Sequence, residues 1–449
     1  MASTYLTKTF TASNRKTFTI SFWIKRSGLT SNQCPFGAGT NHSTDRDFFA
    51  FIADSGEEDK LYFNSKISNS TVAQFYTNRR FRDTNAWYHI VLAFDTTQAT
   101  NTNRMKLYVN GEQETYQSVT YPSQNQDMNY NNTVHTVGSS ISPSDYLDGC
   151  MSHFHFIDGL QYAASTFGST DATTGEWKIN TSPSVTYGTN GFFILKDNNG
   201  VTDQSGNSNN FTVGGGTLTA LQDCPSNIFA TFNPLLRNDA YGGQNNPTNV
   251  NTTFVSGETG TNYPTYVSTL GASSGKYYFE CKMGSSGGPG AMIGITDSTA
   301  RNSYFGSGAQ DYGYFGDNGK KYIKGASGAT YGNSFGNNDI IGCAVDLDNS
   351  KLYFHKNGTY QDSGDPTSGS TGTGAISIDA PSSTNTGFYF FAAGDAGNSD
   401  APTVNANFGN GFFGTTAIAS EGTNASSIGK FEYDVPTGYT ALSTKGLNE

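Results

Sequence analysis

Ile340-Ile-Gly-Cys-Ala-Val-Asp346, a turn, and Lys351-Leu-Tyr-Phe-His-Lys-Asn-Gly358 decide how the chain folds. The first run is short, apolar and β-branched, as a buried strand is. The second closes on Asn357-Gly358, the strongest short hairpin signal. The same grammar occurs earlier, in Trp87-Tyr-His-Ile-Val-Leu-Ala-Phe94, Asp95, Arg104-Met-Lys-Leu-Tyr-Val109 and Asn110-Gly111. A strand, an Asp-bearing turn and a strand ending in Asn-Gly thus appear once in each half. That pattern predicts two β-sandwiches of related type rather than a short-period solenoid.

The rest of the composition agrees. The 449 residues include 53 Gly, 32 Phe, 26 Tyr and 3 Trp, with only 14% charged. The aromatic content excludes a disordered chain, which lacks the large side chains that offset ordering entropy. Scarce Lys, Glu and Arg exclude a helical protein, whose exposed faces those residues fill. Gly, Asn, Ser and Thr around short aromatic runs suit many strands joined by tight turns.

The net charge is −11. No clustered basic surface is offered to phosphate backbones or anionic lipid, so neither nucleic acid nor membrane insertion is expected. Cys34, Cys150, Cys224, Cys281 and Cys343 are odd in number and never spaced Cys-x-x-Cys. Zinc is therefore not expected, and reduced thiols imply folding in a cytoplasm. The first residues carry no apolar signal segment and no run is long enough to span a bilayer.

Further strands are expected at Phe18–Ile24, Lys60–Asn64, Tyr146–Ile157, Gly191–Leu195, Gly275–Met283, Ala291–Asp297 and Gly387–Ala393. A short helix is weakly signalled around Gln161 to Phe167. Aperiodic Asn- and Gly-rich sequence divides the chain into a first domain at 1–214, a connector at 215–250 and a second domain at 251–449.

The first half of the chain resembles the laminin-G/concanavalin A-like lectin-glucanase superfamily. The resemblance rests on Thr17-Phe-Thr-Ile-Ser-Phe-Trp-Ile-Lys25, Trp87-Tyr-His89, Asp95 before Lys106-Leu-Tyr-Val-Asn-Gly111, Leu147-Asp-Gly149 and Phe156-Ile-Asp-Gly159. Asp203-Gln-Ser-Gly-Asn-Ser-Asn-Asn210 resembles a segment of the same superfamily. The second half resembles a SPRY domain through Gly275-Lys-Tyr-Tyr-Phe-Glu280, Ile293-Gly-Ile295, Asp339–Asp346, Lys351–Gly358, Asn407-Phe-Gly409 and Pro436-Thr-Gly-Tyr-Thr-Ala-Leu442. These resemblances imply an all-β chain of two concanavalin A-like jelly-roll β-sandwiches in tandem. The tandem, with Cys224-Pro-Ser-Asn-Ile-Phe-Ala-Thr-Phe-Asn-Pro234 between its halves, resembles virion proteins of marine tailed bacteriophages, cyanophages included.

Glycoside hydrolysis needs two carboxylates facing across a cleft. The acids here are clustered in turns instead, at Glu57-Glu58-Asp59 and Glu112/Glu114, where solvation or capping is the plainer reading. Neither a His-Glu-x-x-His motif nor a phosphate loop is present. His153 and His155 alternate on a strand and read as half-buried rather than as a metal pair. Asp45/Asp47 and Asp346/Asp348 could hold calcium through oxygens at i and i+2, although turn capping explains them more simply. No other cofactor is expected.

Binding remains. Tyr304, Asp311, Tyr312, Tyr314, Asn318, Tyr322 and Tyr331 form the densest Tyr-, Asn- and Gly-rich stretch, of the kind that makes adaptable recognition surfaces. They correspond roughly to the variable loops by which SPRY domains bind partners. The expectation is a non-enzymatic phage virion structural protein, a tail fibre, tail tip or capsid appendage. Its partners would be other virion proteins and a host-surface glycan or receptor, and it would form a homo-oligomer, a trimer being one arrangement. The alternatives are a polysaccharide-degrading tail spike and an extracellular lectin-like adhesin.

Overall fold

The computed structural model describes residues 3–29, 31–196, 198, 200–236, 245–256, 263–297, 304–326, 328–397 and 401–449. It is built from strands and single 3-10 turns, arranged as two separate units. Unit 1 holds residues 1–220 and 224–226, and unit 2 holds 221–223 and 227–449. No helix among the described residues is long and apolar enough to cross a membrane.

Unit 1 is two antiparallel sheets. The eight-stranded sheet runs Tyr116–Thr120, Ser70–Arg80, Lys60–Ile67, Asp45–Phe51, Gln33–Asn41, Val134–Val137, Tyr5–Thr9, Thr212–Gly215. The six-stranded sheet runs Phe192–Ile194, Gly149–Asp158, Thr17–Arg26, Tyr88–Asp95, Met105–Val109, Glu112–Gln113. Alternation puts Phe49 opposite Phe63 and Phe63 opposite Phe75 on one inner face. Phe18, Ile20, Phe22 and Ile24 answer from the other sheet, and all four are fully buried. Filling such a core with Phe is what makes an otherwise polar chain fold, since each fully buried ring contributes roughly 1.5–3 kcal/mol.

Unit 2 repeats the architecture. One sheet runs Thr253–Val255, Thr403–Asn407, Lys276–Met283, Ile340–Asp346, Lys351–Lys356, Thr359–Tyr360. The other runs Thr265–Ala272, Tyr389–Asp395, Ala291–Thr296, Tyr312–Phe315, Lys320–Ile323, Ala329–Thr330. Within the stretch expected as a connector, Phe229, Ala230 and Phe232 are buried in this unit, and Phe232 bridges to Ser268.

The hairpin echo is structural. Asn110 and Asn357 both sit at φ 49°, followed by Gly111 at 85° and Gly358 at 82°. Both turns therefore place two successive residues in the left-handed region, which Asn and Gly tolerate. Each Asn side chain also accepts a 2.8 Å bond from the backbone N–H of the facing strand, His89 in one case and Ile340 in the other.

Two irregular segments add layers that the strand pattern does not announce. Residues 160–190 lie over the outer face of the six-stranded sheet of unit 1, where Phe167, Trp177 and Tyr187 pack on Val91 and Ile157. The expected helix there is a single 3-10 turn, Ala164–Thr166. In unit 2 the C-terminal residues Phe431, Val435, Tyr439 and Ala441 cover Tyr278, Ala344 and Tyr353 in the same way.

Candidate functional site

The seven residues expected to form a recognition surface do not stay together. Asp311, Tyr312, Tyr314 and Tyr331 are 0–5% exposed. Tyr312 and Tyr314 alternate on Tyr312–Phe315 and so both face the core. Asp311 Oδ2 accepts from the N–H groups of Gly306 and Gly308 at 2.9 and 2.8 Å, and Oδ1 accepts from Thr296 Oγ1 at 2.9 Å. Tyr312 Oη accepts from Asp379 N at 2.9 Å and Tyr331 Oη from Phe354 N at 3.2 Å. Tyr314 Oη donates to the Asn333 carbonyl. Those four side chains are therefore scaffold, because their polar tips are used up inside the protein. Only Asn318 is fully exposed, while Tyr304 and Tyr322 are half-buried.

Beside Asn318 is an open cleft of about 330 Å³, lined among others by Pro289, Asp317, Phe335, Asp339 and Lys356. Tyr314 supports it from beneath, its ring 4.9 Å from that of Phe335. Asp339 is tied by Gly336 N at 2.9 Å, Asn357 Nδ2 at 2.7 Å and Lys356 Nζ at 3.1 Å. Burial acts to raise its carboxyl pKa, but these donors outweigh it and hold the pKa below the usual carboxylate range. The Lys356 ammonium also donates to the Ser334 carbonyl at 2.8 Å. The cleft thus presents a paired charge, an apolar floor and Gly-rich rims, a surface suited to binding. These lining residues were not singled out from sequence. The signals that mark them are the loop runs Gly284-Ser-Ser-Gly-Gly-Pro-Gly290 and Gly332-Asn-Ser-Phe-Gly-Asn-Asn338.

The chemistry-bearing residues of unit 1 are also accounted for. Glu57 pairs with Lys60, Glu58 with Arg80, Asp59 with Arg26 and Arg82, and Glu114 with Arg79. Hydrogen bonding from Arg80 holds the Glu58 carboxyl down at about 2. Buried Asp47 accepts from Ser65, Asn129 and the Tyr130 N–H, and Asp45 accepts from Ser68 N. In unit 2, Asp346 pairs with Lys276 at 2.9 Å and Asp348 accepts from Gly275 N. Each of these aspartates spends oxygens on protein donors rather than turning them outward together. Among the described residues no three His, Cys, Asp or Glu side chains are grouped as metal ligands. Asp203 binds Phe193 N, Ser205 N and Asn209 N at 2.8 Å each, so its motif is a clasp for a loop. None of the five cysteines, all of them among the described residues, is disulfide-bonded to another.

One arrangement imitates a catalytic pair. Ser21 Oγ lies 2.9 Å from His89 Nε2 with both residues buried. Trp177 Nε1–H, however, points at His89 Nδ1 at 3.0 Å. An indole nitrogen only donates, so Nδ1 is the acceptor. Burial pushes the imidazole down to about 3, so it is neutral and its one proton is on Nε2. That proton is donated to Ser21, the reverse of what general-base activation requires. His155 is likewise engaged, with Nδ1 2.9 Å from Tyr187 Oη and its ring stacked on Phe193 at 3.9 Å.

Residues 2–165 match the Concanavalin A-like lectin/glucanases superfamily and residues 276–373 match the SPRY domain, so both domains are present. Over 89 residues the chain is 42% identical to the Ran-binding proteins 9/10 homolog of Drosophila melanogaster, covering 19% of this chain and 9% of that protein. It is 39% identical over 89 residues to Ran-binding protein 9 of Homo sapiens, covering 19% of this chain and 12% of that protein. The chain thus spans about a tenth of the length of these relatives. The SPRY domain of human HERC1 aligns at 16% identity with a TM-score of 0.29, covering 39% of this chain and 96% of that one.

Proposed function

We propose that this chain is a non-enzymatic binding protein of a bacteriophage virion, an appendage of tail or capsid that recognises a host-surface glycan or receptor. The observation that supports binding rather than turnover is the exposed cleft at Pro289, Phe335 and Lys356, set against acids and histidines that are spent on structural partners. Tandem sandwiches fit this work, because rigid sheets hold recognition loops in place without spending binding energy on ordering them. The virion setting rests on the resemblance of the tandem and of Cys224–Pro234 to phage virion proteins. In that setting the chain contacts other virion proteins and a second copy of itself.

Gold-labelled antibody against the purified chain tests the setting by electron microscopy. Label on intact particles is expected, and label confined to lysate overturns the reading. Incubation with host capsule tests the chemistry, because new reducing ends would identify a degrading enzyme instead.

A further inference from the structure

The outer face of the eight-stranded sheet of unit 1 carries a row of side chains that its fold does not need. Register places Phe48, Asn64 and Gln74 on one cross-strand line, and Ala50, Tyr62 and Tyr76 on the next. Arg46 and Lys66 stand directly opposite one another on a third. These positions alternate with the core residues Phe49, Phe63 and Phe75, so all of them point away from the sandwich interior.

The face has a floor and a wall. Tyr62 and Tyr76 pack with ring centroids 4.5 Å apart, both half-buried, beside buried Phe48, Ala50 and Cys34. The loop after Val134–Val137 rises along one side, because a Cβ on Gly39 would lie 2.9 Å from Ile141 Cδ1. Gly39 is the register partner of Arg46, so the wall stands next to the arginine.

The charges on this face are unusual for the protein. Like charges directly opposite on neighbouring strands destabilise a sheet unless something answers them. Arg46 donates to Asn64 Oδ1 at 3.1 Å and to His42 Nε2 at 2.6 Å, while its guanidinium lies 5.0 Å from the Phe48 ring centroid. Lys66 reaches the Ser43 carbonyl at 3.4 Å. Among the described residues neither cation pairs with a carboxylate, although Arg26, Arg79, Arg80 and Arg82 do. In a chain of net charge −11, this is a cationic spot that no described carboxylate closes as an ion pair, although Asp145 acts electrostatically on the neighbouring His42. His42 adds no charge: its Nε2 accepts from Arg46, so its one proton is on Nδ1, which is buried without a partner.

We infer that this face binds an acidic oligosaccharide, with an anionic substituent on Arg46 and Lys66 and a sugar ring against Tyr62 and Tyr76. The chemistry fits residue by residue. A guanidinium fixed by two neighbours meets a carboxylate or sulfate without reordering. Tyrosine rings offer an apolar plate with a polar edge to the C–H face of a sugar. The half-buried Gln74 amide can meet a hydroxyl. Lys66 lies four residue steps along the strand from Tyr62, roughly 13 Å, enough for more than one sugar ring. The inference deepens the recognition reading and rests on it for the source of the glycan.

The full chain, fluorescently labelled, is applied to an array of uronate-, sialate- and sulfate-bearing oligosaccharides beside their neutral counterparts. Retention on at least one acidic member at tenfold or more over its neutral counterpart is expected. Lys66→Gln, which disturbs only one backbone contact, and Arg46→Gln should each remove most of that preference. Tyr76→Ala should weaken acidic and neutral members alike, with the melting temperature of every variant recorded as a check on folding. Equal retention of acidic and neutral sugars, or a preference unchanged in Lys66→Gln and Arg46→Gln, overturns the inference. Binding of the same proteins to host cells separates the two readings. Variants that lose the acidic preference on the array yet bind cells as the parent does uphold the site and place host recognition elsewhere. An acid-selective parent that ignores host cells keeps the site and sinks host recognition.

Discussion

Trp177 Nε1 lies 3.0 Å from His89 Nδ1, and this one bond fixes which nitrogen of the buried imidazole carries the proton. It also pins the segment over the six-stranded sheet to a strand of that sheet. Trp177→Phe keeps most of the apolar area but leaves Nδ1 buried without a donor, at a cost of about 1–3 kcal/mol. Chemical denaturation followed by fluorescence should show that loss. Because His89 donates to Ser21, a fluorophosphonate probe should leave Ser21 unlabelled in the parent protein. Labelling at Ser21 by mass spectrometry would contradict the tautomer argument.

The paired hairpins give a second expectation. Asn357→Ala places a Cβ-bearing residue without a compensating side-chain bond at φ 49° and removes the bond to Ile340 N. A loss of about 1–2 kcal/mol follows. Asn110→Ala should behave alike in unit 1, since its geometry and its bond to His89 N are the same. Denaturant midpoints of the two variants should fall together. A shift in only one of them would mean the two turns are not equivalent.

The strands, the two cores and both hairpins were legible in sequence because alternation and Asn-Gly turns are local signals. The recognition surface was not. Tyr312 and Tyr314 look alike in sequence whether their common face is inside or outside, and period 2 does not say which. Their hydroxyls are satisfied by Asp379 N and the Asn333 carbonyl, partners distant in sequence or hidden in loops. The same ambiguity hid Tyr62-Phe-Asn-Ser-Lys66, where aromatic, amide and cation share the outer face. The covering segments were hidden for another reason. They hold on largely by side chains such as Trp177 and Tyr439, with only short strand pairings, Gly168–Thr170 to Trp177–Ile179 and Thr440–Ala441 to the sheet, beneath the length a sequence pattern reveals.

That distinction separates two kinds of variant. Tyr314→Ala removes a fully buried ring that supports Phe335 and should cost about 3–5 kcal/mol, lowering the thermal midpoint. Asp317→Ala and Asn318→Ala alter exposed side chains at the edge of the cleft and should change stability by about 1 kcal/mol or less. If the cleft recognises the host, those two variants should bind cells less while melting almost as the parent does. Unaltered binding in both would move recognition away from this cleft.

The last expectation concerns pH. Glu280 is fully buried, and its oxygens accept from Tyr278 Oη at 2.9 Å, Glu432 N at 2.9 Å and Tyr433 N at 2.8 Å. It therefore ties the C-terminal layer to the sheet. Tyr278 Oη is in turn 2.6 Å from His355 Nε2, and a Cβ on Gly342 would reach that nitrogen at 1.9 Å, which is why the facing strand has glycine there. Burial raises the Glu280 carboxyl to about 7, against the donors that pull it down. His355 is held near 3 by burial and stays neutral across the range concerned. A carboxyl whose folded pKa exceeds its unfolded value of about 4.3 binds its proton more tightly when folded. Its contribution is complete below about pH 4, declines as pH rises, and is gone above about 7, at up to about 1.4 kcal/mol per pH unit. Glu280→Gln cannot titrate. Its absolute stability should fall, because an amide N–H faces a backbone donor, so the informative quantity is the slope. Between pH 5 and 8 the parent should lose stability relative to Glu280→Gln, measured by urea unfolding at each pH. Parallel pH profiles for the two proteins would show that Glu280 is ionised throughout and that its hydrogen-bond donors outweigh its burial.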